Sequence, residues 1–135
     1  MSIEYPQKAL DFLQRPIVAT LVTLMPDNQP QATPVWYSFD GSHVWVNTAR
    51  GRQKDHNMAE RPQVTLCLVD HDNPYSYVEV RGVVDEITEE GAFDHINLLS
   101  MMYFKRADFY NGDEARRARE TRVIYKIKPT HIVVH

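Results

Sequence analysis

With a single cysteine, the chain cannot form an internal disulfide, and nothing in it points to an oxidising compartment. Cys67 lies inside the apolar run 64–69, which reads as a small core residue rather than a nucleophile. No apolar stretch approaches the roughly 20 residues of a membrane-spanning helix. The start Met1-Ser2-Ile3-Glu4-Tyr5-Pro6 has neither the basic beginning nor the apolar centre of a secretory signal. A cytoplasmic protein with no membrane partner is the expectation. There is no Walker-type loop, no Gly-x-Gly-x-x-Gly run after a strand and no Gly-x-Ser-x-Gly elbow. The histidines at 43, 56, 71, 95, 131 and 135 lack the close spacing of a metal site, so no metal is expected. A net charge of −3 argues against non-specific nucleic-acid binding, which needs a basic surface. No repeat, linker or low-complexity segment divides the chain, so a single domain over 1–135 is expected.

What is present is a set of short strand patterns separated by turn chemistry. Residues 4–15 carry a short amphipathic helix between Pro6 and Pro16. The β-branched run 17–24 reads as a buried strand, and 25–30 as a turn. A second strand covers 31–39, interrupted by Pro34. Asp40-Gly41-Ser42 makes a hairpin into a third strand at 43–47. A fourth strand covers 63–70, and a long one 75–87 holds Gly82, the mark of a bulge or a close backbone approach. Thr88 is placed to cap a helix with Ala92, Phe93, Ile96, Leu99 and Tyr103 on one stripe. A short charged helix at 113–120 and a strand at 122–127 follow. Pro129 is expected to break that strand before a last one at 131–134. The fold class is therefore mainly β with flanking helices, closing or nearly closing into an antiparallel barrel.

One stretch stands out for chemistry. Residues 48–58 run from the third strand through Gly51 into a helix that stops at Pro62, with cations at Arg50, Arg52 and Lys54. A strand that turns through glycine into a helix leaves backbone N–H groups and the positive end of the helix dipole free to meet an anion. Arg adds bidentate phosphate recognition and Lys a point charge. The same residues also read as a solvated basic helix face. Pro34 marks an edge or bulge, or a strand against which a ligand lies. The aromatics Trp36, Tyr37, Phe39 and Trp45 suit a barrel core, a dimer interface or a surface that stacks bases. Eight of the fifteen Lys and Arg fall within 105–128, whereas 70–94 is acidic with Arg81 its only cation.

In order and spacing these segments resemble the pyridoxamine 5′-phosphate oxidase-like split β-barrel proteins. The segments are Ile17-Val18-Ala19-Thr20-Leu21-Val22-Thr23, Pro34-Val35-Trp36-Tyr37 with Asp40-Gly41, 48–57, Arg61-Pro62-x-Val64-x-Leu66, and Val80-Arg81-Gly82-x-Val84. The similarity covers about 10–134 and is greatest to the flavin/deazaflavin oxidoreductase branch that uses coenzyme F420. The resemblance implies a homodimer with two cofactor sites at the subunit interface and a deazaflavin (F420) cofactor, with FMN as the alternative. It implies hydride transfer to a small unsaturated substrate; an FMN-dependent reductase or oxidase and a non-catalytic flavin or haem carrier are the alternatives. Carried over residue by residue, Arg52 and Lys54 match the phosphate-binding positions, with Asn57 and Arg50 as helpers. Pro34, Val35 and Trp36 match the segment along the ring system, and Asn47 and Thr48 the strand end beneath the ribityl chain. Tyr77 and Arg81 match the strand facing the partner. The chain departs from true pyridoxamine phosphate oxidases in ending at 131–135 without their Arg-containing segment, which favours the deazaflavin branch. The basic stretch 105–122 then becomes a candidate contact for that cofactor's acidic tail. Tyr37, Tyr77 and His131 are candidate proton donors, with water as the alternative.

Overall fold

The structure, a computed structural model, describes residues 3–135; Met1 and Ser2, the start of the segment read above for a signal, lie outside the described residues. Its elements are α1 (Gln7–Leu13), β1 (Ala19–Leu24), β2 (Pro30–Val35), β3 (Tyr37–Phe39), β4 (Val44–Ala49), α2 (Gln53–Glu60), β5 (Gln63–Val69), β6 (Tyr77–Thr88), α3 (Ala92–Phe104), α4 (Glu114–Arg119) and β7 (Arg122–Val134). Among the described residues, no helix is long and apolar enough to cross a membrane.

All seven strands join one sheet in the order β2-β1-β5-β6-β7-β4-β3, with every neighbouring pair antiparallel. The two edges, β2 and β3, are consecutive in the chain and separated only by Trp36. A chain can pass from one edge of a sheet to the other through one residue only if the sheet has curled until its edges meet. The fold is thus a split antiparallel barrel, as the sequence predicts. Leu21, Val46, Leu66, Leu68, Val78, Val80, Tyr125 and Ile127 are fully buried in its interior. Burial of each side chain of this kind contributes about 1.5–3 kcal/mol. Phe12 and Leu13 of α1 add to the same core.

Three local expectations change. The second strand is not one strand interrupted at Pro34: Pro34 pairs within β2 opposite Thr20, and the break falls at Trp36, where pairing switches from β1 to β4. Pro34 is tolerated because β2 is an edge strand. Nor does Pro129 end the last strand. β7 runs on to Val134 because Pro129 lies opposite Gly82, beside a register shift between Arg81 and Gly82 where a missing N–H is no loss. Finally, Thr88 does not cap α3. Its hydroxyl accepts from Glu90 N–H at 3.1 Å, and Gly91, in the left-handed region at φ 75°, occupies the cap position.

α3 closes the split. The Tyr103 hydroxyl accepts from Tyr37 N–H at 3.1 Å and lies 3.1 Å from the carbonyls of Ile17 and Tyr37. It thereby satisfies backbone groups that strand pairing leaves free at the gap. Its ring stacks on Trp36 at 5.3 Å between centroids. Burial pushes the Tyr103 hydroxyl up to about 12, so it stays a neutral brace.

Candidate functional site

Gly51, at φ 95°, turns the chain out of β4 and into α2. The turn is pinned from inside by Asp55. One Asp55 oxygen accepts from Gly51 N–H at 2.9 Å; the other accepts from Arg50 at 3.0 Å and from the Tyr125 hydroxyl at 2.6 Å. Burial raises the Asp55 pKa, but these three donors outweigh it and hold the carboxyl below its usual range. Arg52 occupies the N-cap position of α2 in an extended conformation, and no side chain caps the helix. The first-turn N–H groups of this eight-residue helix are left without a side-chain partner, as an anion site requires.

Beside this turn, at the split in the barrel, lies a cleft of about 270 Å³. Arg52 and Lys54 come from the turn, Val18 from just before β1, Pro34, Val35 and Trp36 from the open edge, and Asn47 from β4. Ile96 and Leu99 come from α3, Phe109 from the following loop, and Arg122 from the start of β7. One end is cationic and the walls are apolar and aromatic. Lys54 is half-buried and makes no hydrogen bond or ion pair among the described residues. Burial, then Arg52 and Arg122, lower its pKa. An ammonium left unpaired between two guanidiniums is the arrangement a bound phosphate would relieve.

Arg122, which the sequence marks only as the last residue of the basic stretch 105–122, is the member of that stretch that reaches the cleft. It is only 3% exposed, donates from Nε to Asn47 Oδ1 at 2.9 Å and from Nη1 to Glu120 Oε1 at 3.0 Å. Asn47 is held in turn, donating to Ala92 O at 2.9 Å and to His95 Nδ1 at 3.1 Å. His95 Nδ1 therefore accepts, and Nε2–H donates to Ser38 Oγ at 2.9 Å. Burial, then the charges of Arg122 and Lys126, push the His95 pKa from 6.5 down to about 4, so the ring is neutral. A histidine with a depressed pKa contributes stability that is complete above its unfolded pKa and is lost as protonation begins. Unfolding measured between pH 6.5 and pH 4 should show a loss of up to about 3 kcal/mol that a His95→Gln variant lacks. Parallel pH profiles for the two proteins would exclude His95 as the cause.

The remaining candidates separate. Arg50, though in the same turn as Arg52, faces away and pairs with Glu89 at 2.9 Å and Asp55 at 3.0 Å. Asn57 is fully buried, donating to Thr23 Oγ1 at 3.0 Å and accepting from Gln53 at 2.8 Å, so it braces α2 instead of reaching a ligand. Thr48 is 1% exposed and its hydroxyl has no partner among the described residues. Tyr77 stacks on His135 at 5.2 Å, and Arg81 pairs with Glu79 at 3.0 Å on the outer face of the barrel. Neither lines the cleft. Of the basic stretch 105–122, only Arg122 does, while Arg116 and Arg117 lie over Phe109 and Phe93. Among the proposed proton donors, Tyr37 is spent in the core on the carbonyls of Phe12 and Arg15 at 2.9 and 2.8 Å, with its pKa raised by burial. His131 is exposed away from the cleft. At the β3–β4 hairpin, Ser42 Oγ lies 2.9 Å from His43 Nδ1, and His43 Nε2 lies 2.7 Å from Asp85. The N–H groups of Ser42 and His43 are already bound to Asp40, so they cannot serve an oxyanion there.

Known proteins share this architecture. An F420 reductase of solved structure is 31% identical over 96% of this chain and 98% of its own, with a TM-score of 0.83. A conserved hypothetical protein from Mycobacterium tuberculosis is 25% identical over 98% of this chain and 85% of its own, with a TM-score of 0.74. General stress protein 26 of Bacillus anthracis shares the fold at 21% identity, over 95% and 91% of the two chains, with a TM-score of 0.67. Residues 5–135 match the family described as pyridoxamine 5′-phosphate oxidase. The split barrel, with its cleft between the open edge and α3, is thus the fold of that family, and this chain belongs to the pyridoxamine 5′-phosphate oxidase family.

Proposed function

We propose that the protein is an oxidoreductase that works as a homodimer and binds coenzyme F420, with FMN as the alternative, at the cleft. The observation that carries this reading is the convergence of Arg52, Lys54 and Arg122 at the uncapped start of α2. Such a site fits the phosphate that both cofactors share. The likeness to an F420 reductase across nearly the whole chain favours the deazaflavin. When bound, the ring system supplies the hydride chemistry. This chain's residues supply the rest: Arg52, Lys54 and Arg122 hold the phosphate, Asn47 and His95 keep Arg122 in place, and Pro34, Val35 and Trp36 wall the ring. Both nitrogens of His95 are engaged, and no histidine among the described residues lines the cleft, which disfavours a haem carrier. Small unsaturated molecules are the proposed substrates.

A dimer suits the cleft for two reasons. Its volume of about 270 Å³ falls just below the roughly 300–1,000 Å³ of sites that enclose ligands of this size. Its rim is also apolar: Val18 is 45% exposed and Phe104, packed edge-on to Trp36, is 61% exposed. Fluorescence titration of the ligand-stripped protein with F420, FMN and phosphate-free riboflavin tests the reading, with light scattering for the oligomeric state. Tight F420 binding by a dimer is expected. FMN preferred over F420 would move the protein to an FMN-dependent reductase or oxidase, and binding of neither would end the proposal.

A further inference from the structure

Two of the three cleft cations, Arg52 and Arg122, share one counter-ion. Glu120, in the link between α4 and β7, takes four donors, two on each oxygen but at different distances. Oε1 accepts from the Tyr110 hydroxyl at 2.9 Å and from Arg122 Nη1 at 3.0 Å. Oε2 accepts from Arg52 Nη2 and Arg116 Nε, each at 3.3 Å. The two cleft arginines it holds also differ in freedom. Arg122 is 3% exposed and tied to Asn47 as well, whereas the Arg52 side chain is 44% exposed and has no other polar partner among the described residues. One side of the carboxylate fixes Arg122. The other holds Arg52 by a long, exposed contact of the kind that contributes little and exchanges easily.

We propose that Glu120 is a built-in rival to the ligand's phosphate: it holds Arg52 until a phosphate competes for it, and so sets how strongly the cleft takes an anion. This rests on the reading of the cleft as a phosphate site. The charge balance points the same way. Arg52, Lys54 and Arg122 bring three positive charges and Glu120 removes one. The resulting two offset the charge of about −1.5 to −2 on a phosphate monoester such as FMN's and exceed the single charge of a phosphodiester such as F420's. Without Glu120 the cleft would hold anions more tightly and discriminate less among them.

Glu120→Gln keeps an acceptor for Tyr110 and Arg122 but removes the charge that retains Arg52. FMN and F420 are titrated into the native chain and this variant, with riboflavin as the phosphate-free control. The phosphate-bearing cofactor should bind about fivefold more tightly to the variant, the scale of one partly exposed ion pair. Riboflavin should be unaffected, and the gain should shrink in an Arg52→Ala background. If Glu120→Gln does not fold, Glu120→Asp draws the carboxylate back from Arg52 and should act in the same direction. Weakened or unchanged cofactor binding, or a gain that persists undiminished without Arg52, overturns the rivalry and leaves the proposed function standing. No binding of either cofactor by any of these proteins overturns both.

Discussion

An Arg52→Ala, Lys54→Ala double variant should bind the phosphate-bearing cofactor roughly a hundredfold more weakly than the native chain, at about 3 kcal/mol for two charge-assisted contacts, one of them exposed. The effect is large because Lys54 faces the cleft with no partner of its own, so nothing inside the protein compensates for its removal. Binding of riboflavin, which lacks the phosphate, should change little, and that contrast separates loss of the anion contact from damage to the ring wall. Stability should hold or rise slightly, because the substitution removes a partly desolvated ammonium from between two guanidiniums. Titration by cofactor fluorescence, with denaturation run in parallel, reads both. Undiminished affinity would return the turn to the solvated basic face that its sequence equally permits.

A second large effect is expected far from the cleft. Gly82→Ala should cost about 2 kcal/mol of stability, because overpacking a tight site forces the backbone to move. A Cβ at this position would lie 2.6 Å from Lys128 O and 2.8 Å from Ile127 Cγ2. The nearer obstacle is backbone, which cannot rotate away, and Pro129 directly opposite stiffens it further. Gly82 does not owe its place to a left-handed conformation; the requirement is space where β6 crosses β7 at a register shift. Urea denaturation should show the loss, and Gly82→Val should enlarge it. A change below about 0.5 kcal/mol would mean that the two strands separate freely there.

The candidate site was partly legible in the sequence because its most local piece is local in origin. Strand, glycine, cations and helix lie within 48–58, so spacing marked Arg50, Arg52 and Lys54 together as one cationic turn, and the resemblance picked Arg52 and Lys54 from among them. Yet Arg50, identical in type and two residues earlier, serves the opposite side of the turn. That choice was made by Asp55 and Glu89, the second of which comes from beyond β6. Asn57 looked like a polar helper and proves to be a brace, since one helical turn after Gln53 it faces inward against β1. Arg122 entered only as the end of the basic stretch 105–122, and His95 only as one of six unclustered histidines. Arg122 sat in a run of charged residues, and His95 on an otherwise apolar helix stripe; only burial distinguishes them.

By itself the sequence determined most of the strands, the interior-facing apolar positions and a cationic turn from strand through glycine to helix, because alternation, glycine and charge act over a few residues. It also carried enough segment order to indicate a split barrel of the pyridoxamine 5′-phosphate oxidase kind. Tertiary structure alone decided where pairing switches at Trp36, that Pro129 could continue a strand, and which cations share the cleft. These outcomes depend on register and burial between residues far apart in the chain. Arg52 and Arg122, with 69 positions between them, line one cleft only because β4 and β7 pair and bring both ends to one mouth of the barrel.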